Sequence, residues 1–127
     1  MAITHRDLLR LAVRQAMTPT EPWRRSAISR AYYAAFHRCL LWEKALPHKS
    51  RVKTSGGAHK QLIDRLLAPH PACGPLVAKR SKDLGELLAV QRDRRVDADY
   101  RLKKQISATD LARQMAQAAA VLKACER

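Results

Sequence analysis

Acidic residues are scarce in this chain of 127 residues: 11 Asp and Glu stand against 25 Lys and Arg, a formal net charge of +14. Cysteine is scarcer still. Cys39, Cys73 and Cys125 are odd in number, far apart and without a C-x-x-C pair, which is not a disulfide framework and reads as a reduced, cytoplasmic protein. No run of about 18 apolar residues occurs, and the N-terminus has no apolar signal core, so neither a membrane span nor a secretory leader is expected. His5, His37, His48, His59 and His70 form no H-E-x-x-H pattern and none pairs with cysteine at zinc-site spacing, so neither a metal nor another cofactor is expected. Ser55-Gly56-Gly57 lacks the G-x-x-x-x-G-K-[ST] pattern, which excludes a P-loop.

What is present suits one globular domain over residues 1–127. Hydrophobic residues make up 46% and charged residues 28% of the chain, near globular averages, so a core can form and the excess charge is not that of a disordered tail. A charge this positive points to a polyanionic partner, because Lys and Arg that neutralise phosphates release counterions from nucleic acid.

Hydrophobic spacing predicts five helices and no strand. Thr4 and Asp7 form a capping-box pattern ahead of Leu8, Leu11, Ala12 and Ala16. A second, long helix is expected from Pro22 or Trp23 to Leu46, where Pro47 stops it. Residues 48–57 are a polar, basic connection with a glycine pair. A short third helix spans Ala58 to Leu67 and buries Leu62, Ile63, Leu66 and Leu67; Pro69, Pro71 and Pro75 punctuate its end. The fourth runs from Leu76 to about Tyr100, weakened at Gly85, and the fifth begins at Ser107, which faces Asp110 in a second capping box, and continues to Cys125. Short links imply antiparallel neighbours and hence an all-α, up-and-down bundle.

The second helix carries two ordered faces. At about 100° per residue, Ile28, Ala31, Tyr32, Ala35, Cys39, Trp42 and Leu46 make a core stripe. Arg30, Tyr33, His37 and Lys44 fall opposite, flanked by Leu40 and Leu41, a mixture of cationic and apolar groups that suits a binding surface. Arg30 and His37 are two turns apart, about 10.5 Å along the axis, so both can reach one phosphate. Arginine offers a permanent charge and a two-donor fork, and histidine exchanges protons near neutral pH. Tyr33, four residues before His37, is placed to orient it by a hydrogen bond.

Ser29-Arg30-Ala31-Tyr32-Tyr33-Ala34-Ala35-Phe36-His37 resembles the S-R-x-Y-Y-A-x-F-H signature of small prokaryotic HEPN domain proteins. Gly57-Ala58-His59-Lys60 resembles the family's short-helix start, often S/T-H-K-G, and Arg95-Val96-Asp97-Ala98-Asp99-Tyr100 resembles its R-x-x-A-D-Y segment. The likeness extends over residues 22–125 with the motifs in family order. It implies a helical bundle, frequently a homodimer, that binds or acts on RNA in toxin–antitoxin or phage-defence modules, often with a small nucleotidyltransferase as partner. Catalytic members carry R-x(4–6)-H and cleave RNA without metal, through attack of a 2′-hydroxyl on the adjacent phosphate. In that scheme Arg30 stabilises the charged phosphorane and His37 moves protons, with Tyr33 beside them.

The family's best understood toxins carry that motif on a late helix, whereas here it lies on the second. Two other readings therefore stay open: a non-catalytic HEPN module docking a nucleotidyltransferase or another protein through the Arg30–Leu41 face, and a general nucleic-acid binder. Candidate nucleic-acid contacts fall in two basic segments, Lys49, Arg51, Lys53, His59 and Lys60, then Arg94, Arg95, Tyr100 and Arg101. If the fourth helix packs on the second, Arg95, Asp99 and Tyr100 join His37 in one pocket, where Asp99 favours charged His37; otherwise Arg95 and Asp99 form an ion pair that fixes helix register.

Overall fold

The computed structural model describes residues 2–126. Among them are five α-helices and no strand: α1 (His5–Ala16), α2 (Glu21–Lys44), α3 (Ala58–Leu67), α4 (Pro75–Tyr100) and α5 (Ala108–Ala124), with a 3-10 turn at Pro71–Cys73. The chain is an all-α bundle, as its periodicity predicts. No helix among the described residues is long and apolar enough to cross a membrane.

Local chemistry sets the starts of α1 and α5. The Thr4 hydroxyl accepts from the Asp7 amide at 3.3 Å while the Thr4 amide donates to Asp7 Oδ2 at 2.8 Å. Ser107 and Asp110 repeat that exchange at 3.1 and 3.0 Å ahead of α5. A side-chain N-cap is worth about 1 kcal/mol, since it satisfies amides that the helix itself leaves unpaired. The end of α2 departs from expectation. It stops at Lys44 rather than Leu46, because Lys49 folds back and its Nζ donates to the carbonyls of Glu43, Lys44 and Leu46 at 2.9, 2.6 and 2.9 Å. Pro47 lies beyond a helix that a lysine has already closed.

α2 is the centre of the bundle. Its predicted stripe is buried from Ile28 to Trp42, with Leu46 half-buried, but Ala27, Ala34 and Phe36 are buried as well, so neighbours cover it on several sides. Four alanines, Ala27, Ala31, Ala34 and Ala35, leave room for close approach.

Paired contacts give the helix directions. Ser26 meets Gln15 while His37 shares a cleft with His5, so α1 and α2 are antiparallel. Ser29 bonds Asp99 and Tyr33 bonds Arg95, so α2 and α4 are antiparallel too. Gln114 bonds Ile28 and Arg38 bonds Cys125, which makes α2 and α5 parallel. On α3, His59 sits against Tyr32 and Arg65 against Glu43, so α3 has the same sense as α2. The up-and-down alternation is thus broken once, at the long 45–57 connection, which carries the chain back to the level of Tyr32, midway along α2, before α3 begins.

Two further features lock the elements that carry the candidate site. A Cβ built on Gly85 would lie 2.9 Å from Leu67 Cδ2 and 3.2 Å from Leu66 Cβ, so the glycine in α4 is the seat of α3 and not merely a weak point. Leu67, expected in the core, stays partly exposed as it crosses that glycine. At the other end of α4, Arg25 donates from Nη1 to the carbonyls of Asp97 and Ala98 at 3.1 and 3.0 Å, and from Nη2 to Glu21 at 3.0 Å and to the Lys104 carbonyl. One α2 arginine thereby closes the C-terminus of α4, where unpaired carbonyls accept cations favourably.

Candidate nucleic-acid interface and active site

Residues three, four and seven apart on α2 share one row, and α1 supplies the facing wall. Between them lies an open cleft of about 750 Å³ lined by Arg30, Tyr33, His37, Leu40, Leu41 and Lys44 from α2, with His5 and Leu8 of α1 and the preceding Ile3 and Thr4. Arg30 and His37 are exposed, and Arg30 has no acidic partner among the described residues. The lining contains two imidazoles, an arginine and a lysine but no carboxylate.

Tyr33 does not bond to His37. Its ring lies 6.3 Å from the His37 ring, tilted by 30°, and its hydroxyl instead accepts from Arg95 Nη2 at 2.6 Å. The tyrosine is long enough to reach α4, where a permanently charged donor outcompetes an imidazole one helical turn away. Arg95 spreads over several partners. Its guanidinium carbon is 5.1 Å from the centroid of Tyr33 and 5.2 Å from that of Tyr100, and its Nε is 2.9 Å from Asp99 Oδ2, an ion pair too bent to count as a hydrogen bond.

The same Asp99 oxygen accepts from Ser29 Oγ at 3.0 Å. Asp99 is therefore committed to Arg95 and Ser29, and among the described residues no carboxylate contacts His37. Of the pocket expected if α4 packs on α2, the structure assembles Arg95, Asp99 and Tyr100 around Tyr33, and His37 adjoins that group only through the Tyr33 ring.

His59, in the first turn of α3, fills the gap behind this row. Its Nδ1 is 2.7 Å from the Tyr32 hydroxyl and its ring is 4.4 Å from the Phe36 centroid and 5.8 Å from Tyr33. Burial, then the charges of Arg95 and Arg92, then His37, lower the pKa of His59, while burial raises that of the Tyr32 hydroxyl. Both shifts favour one arrangement: Tyr32 keeps its proton and donates it to a neutral imidazole. His59 is half-buried packing for the row as much as a surface cation.

The remaining candidates are dispersed. Lys49 is bound to the carbonyls at the end of α2, Lys60 to Asp64 at 2.6 Å and Arg101 to Asp97 at 3.1 Å. Arg94 donates to Gln114 at 3.1 Å and to Gln117, tying α4 to α5. Arg51, Lys53 and Tyr100 are exposed. Lys49 sits by Lys44 and the Arg101 carbonyl by Arg25, so Lys49 and Arg101 mark opposite ends of α2, about 28 Å apart at 1.5 Å per residue, whereas His59 and Arg95 of the same two segments meet at Tyr32 and Tyr33 midway along it.

No family model, curated protein or solved structure matches the chain. The site therefore rests on its own geometry. Sequence reasoning did not find His5, which enters the cleft from α1, nor the closing role of Arg25. His5 sits inside a legible capping box, between Thr4 and Asp7, but only the packing of α1 on α2 reveals what it faces. Among the described residues no group of three or more His, Cys, Asp or Glu is placed to hold a metal ion.

Proposed function

We propose that the chain is a HEPN-type RNA-binding protein of the cytoplasm, acting as a homodimer, whose α1–α2 cleft cuts RNA without a metal in a toxin–antitoxin or phage-defence setting. The observation that carries this reading is the cleft lining: Arg30, Lys44, His5 and His37 all line it, and no carboxylate lines it with them. Such a surface attracts a phosphate backbone, and the apolar Leu8, Leu40 and Leu41 offer it base or sugar contacts. Arg30 would hold the non-bridging phosphate oxygens and His37 would exchange protons with the reacting ones.

The test is incubation of the purified protein with RNA in the presence of a chelator, comparing wild type with His37→Ala and Arg30→Ala. Cleavage leaving 2′,3′-cyclic phosphate ends is expected from wild type, reduced by roughly 10²–10⁴-fold in His37→Ala, the usual worth of a positioned acid or base, and by roughly 10²–10³-fold in Arg30→Ala, that of one charge-stabilising donor. Activity that survives both substitutions rejects the assignment.

A second reading draws on the exposed apolar rim. Ile3 is 70% and Leu41 is 52% exposed at the cleft mouth, which suits a non-catalytic docking module for a nucleotidyltransferase or another protein. Wild type that binds but never cuts RNA, or does neither, favours docking.

A further inference from the structure

We propose that His5 is the second proton-transfer group of the α1–α2 cleft, acting across it from His37 on the same phosphodiester. This rests on the ribonuclease reading above and assigns the two halves of the reaction to two walls. His5 is the first residue of α1, and the antiparallel packing fixed by Gln15 and Ser26 brings that turn beside the second half of α2. His5 and His37 both line the cleft, with Arg30 on the α2 wall.

Cleavage by an internal 2′-hydroxyl needs two proton movements. A base takes the 2′-hydroxyl proton as the new 2′-oxygen–phosphorus bond forms, and an acid gives a proton to the 5′-oxygen as the phosphorus–5′-oxygen bond breaks. The products are a 2′,3′-cyclic phosphate and a 5′-hydroxyl, with no net proton gained or lost. Because attacking and leaving oxygens stand roughly in line across phosphorus, base and acid belong on opposite sides of the phosphate. A single histidine on α2 reaches one side; histidines on α1 and α2 reach both.

The surroundings of His5 fit the base role. Arg6 and Asp7 flank it on α1, Arg38 and His37 face it from α2, and Glu126, beyond α5, shares a smaller neighbouring cleft with it. Partial burial, then Arg38 and Arg6, lower its pKa against the opposing pull of Asp7, so it is neutral at pH 7 and ready to accept a proton. His37 then supplies the proton to the leaving oxygen, and Arg30 holds the charge that develops between them.

The experiment uses the full chain and a short RNA whose scissile 5′-oxygen is replaced, in a second substrate, by sulfur, a leaving group that departs without protonation. His5→Gln and His5→Asn are compared with His37→Ala, each checked for wild-type helicity and unfolding temperature. The expected result is a bell-shaped pH profile of kcat/KM in wild type, with a loss of roughly 10²–10⁴-fold and of the acidic limb in both His5 variants. The sulfur substrate should restore the rate of His37→Ala and leave the His5 variants slow. A His5 variant with the wild-type rate and acidic limb, or one rescued by sulfur, overturns the assignment while leaving the ribonuclease reading intact. Wild type that leaves both RNAs uncut overturns the two together.

Discussion

Arg95 of α4 donates to the Tyr33 hydroxyl of α2 at 2.6 Å, and its guanidinium carbon lies 5.1 Å from the centroid of the same ring. On each helix the residue one turn away completes the connection, since Asp99 pairs with Arg95 and accepts from Ser29. Two antiparallel helices are thus cross-linked by a closed polar circuit, and the cleft row on α2 is held from behind by α4.

Arg95→Lys keeps the charge but not the fork, so it cannot serve Tyr33 and Asp99 together. A loss of about 1–2 kcal/mol in urea unfolding is expected, and about 2–3 kcal/mol for Arg95→Ala, which strands Asp99. A double-mutant cycle with Tyr33→Phe isolates the hydroxyl contact and should return a coupling of about 1 kcal/mol. Additive effects would show that the 2.6 Å contact contributes nothing of its own.

Lys49 separates two roles that the sequence leaves together. As a cap on the last two α2 carbonyls and on that of Leu46 beyond them, its replacement by alanine should cost about 1 kcal/mol and speed amide exchange in the last turn of α2 and at Leu46. Lys53→Ala, on the exposed connection, should leave stability within about 0.5 kcal/mol and lower the salt dependence of RNA binding. Unchanged exchange in Lys49→Ala would remove the capping role.

Gly85 tests the seat of α3. Alanine gains helix propensity of about 1 kcal/mol, yet its Cβ would sit 2.9 Å from Leu67 Cδ2 and 3.2 Å from Leu66 Cβ. The Leu67 tip is partly exposed and can swing away, whereas the Leu66 Cβ moves only with α3 itself. Gly85→Ala should therefore lower stability slightly, and Gly85→Val by about 2–3 kcal/mol, because it overpacks the contact. A stabilised alanine variant in thermal unfolding would mean that α3 yields there without cost.

These residues mark where the fold was legible in sequence. Both capping boxes and the limits of α3 follow from local signals, Thr4 with Asp7, Ser107 with Asp110, and Gly57 with Pro69, and the structure repeats them. The end of α2 does not, because Lys49 acts on backbone several residues behind it. Gly85 reads as a poor helix former until α3 is seen resting on it. Tyr33 and Arg95 stand out separately, in the row on α2 and the segment on α4, but their junction depends on antiparallel register. That register also explains why Tyr33 turns from His37, its neighbour in sequence, to a stronger donor across the interface. His5 needed the packing of α1, which no local pattern encodes.

Acid should weaken the fold in two stages. The pKa of His59 is lowered from 6.5, chiefly by burial and then by Arg95 and Arg92, and His5 and His70 are shifted the same way. Well above pH 6.5 these histidines are neutral in both folded and unfolded chains. Below it the unfolded chain binds protons that the folded chain still refuses, so stability falls until the folded imidazoles also protonate. The carboxyls of Asp64, Asp110 and Glu21 are held below their ordinary 3.8 to 4.5 by hydrogen bonds from Lys60, Ser107 and Ile106, so their share is present above that range and lost as pH falls further. His59→Gln keeps an acceptor for the Tyr32 hydroxyl and removes one ionisation. Urea midpoints from pH 7.5 to 3.5 should then show a shallower first fall, with part remaining from His5 and His70, and an unchanged second. A first fall as steep as in wild type would mean that His59 titrates alike in both states, and that its place behind Tyr33 imposes no preference for the neutral ring.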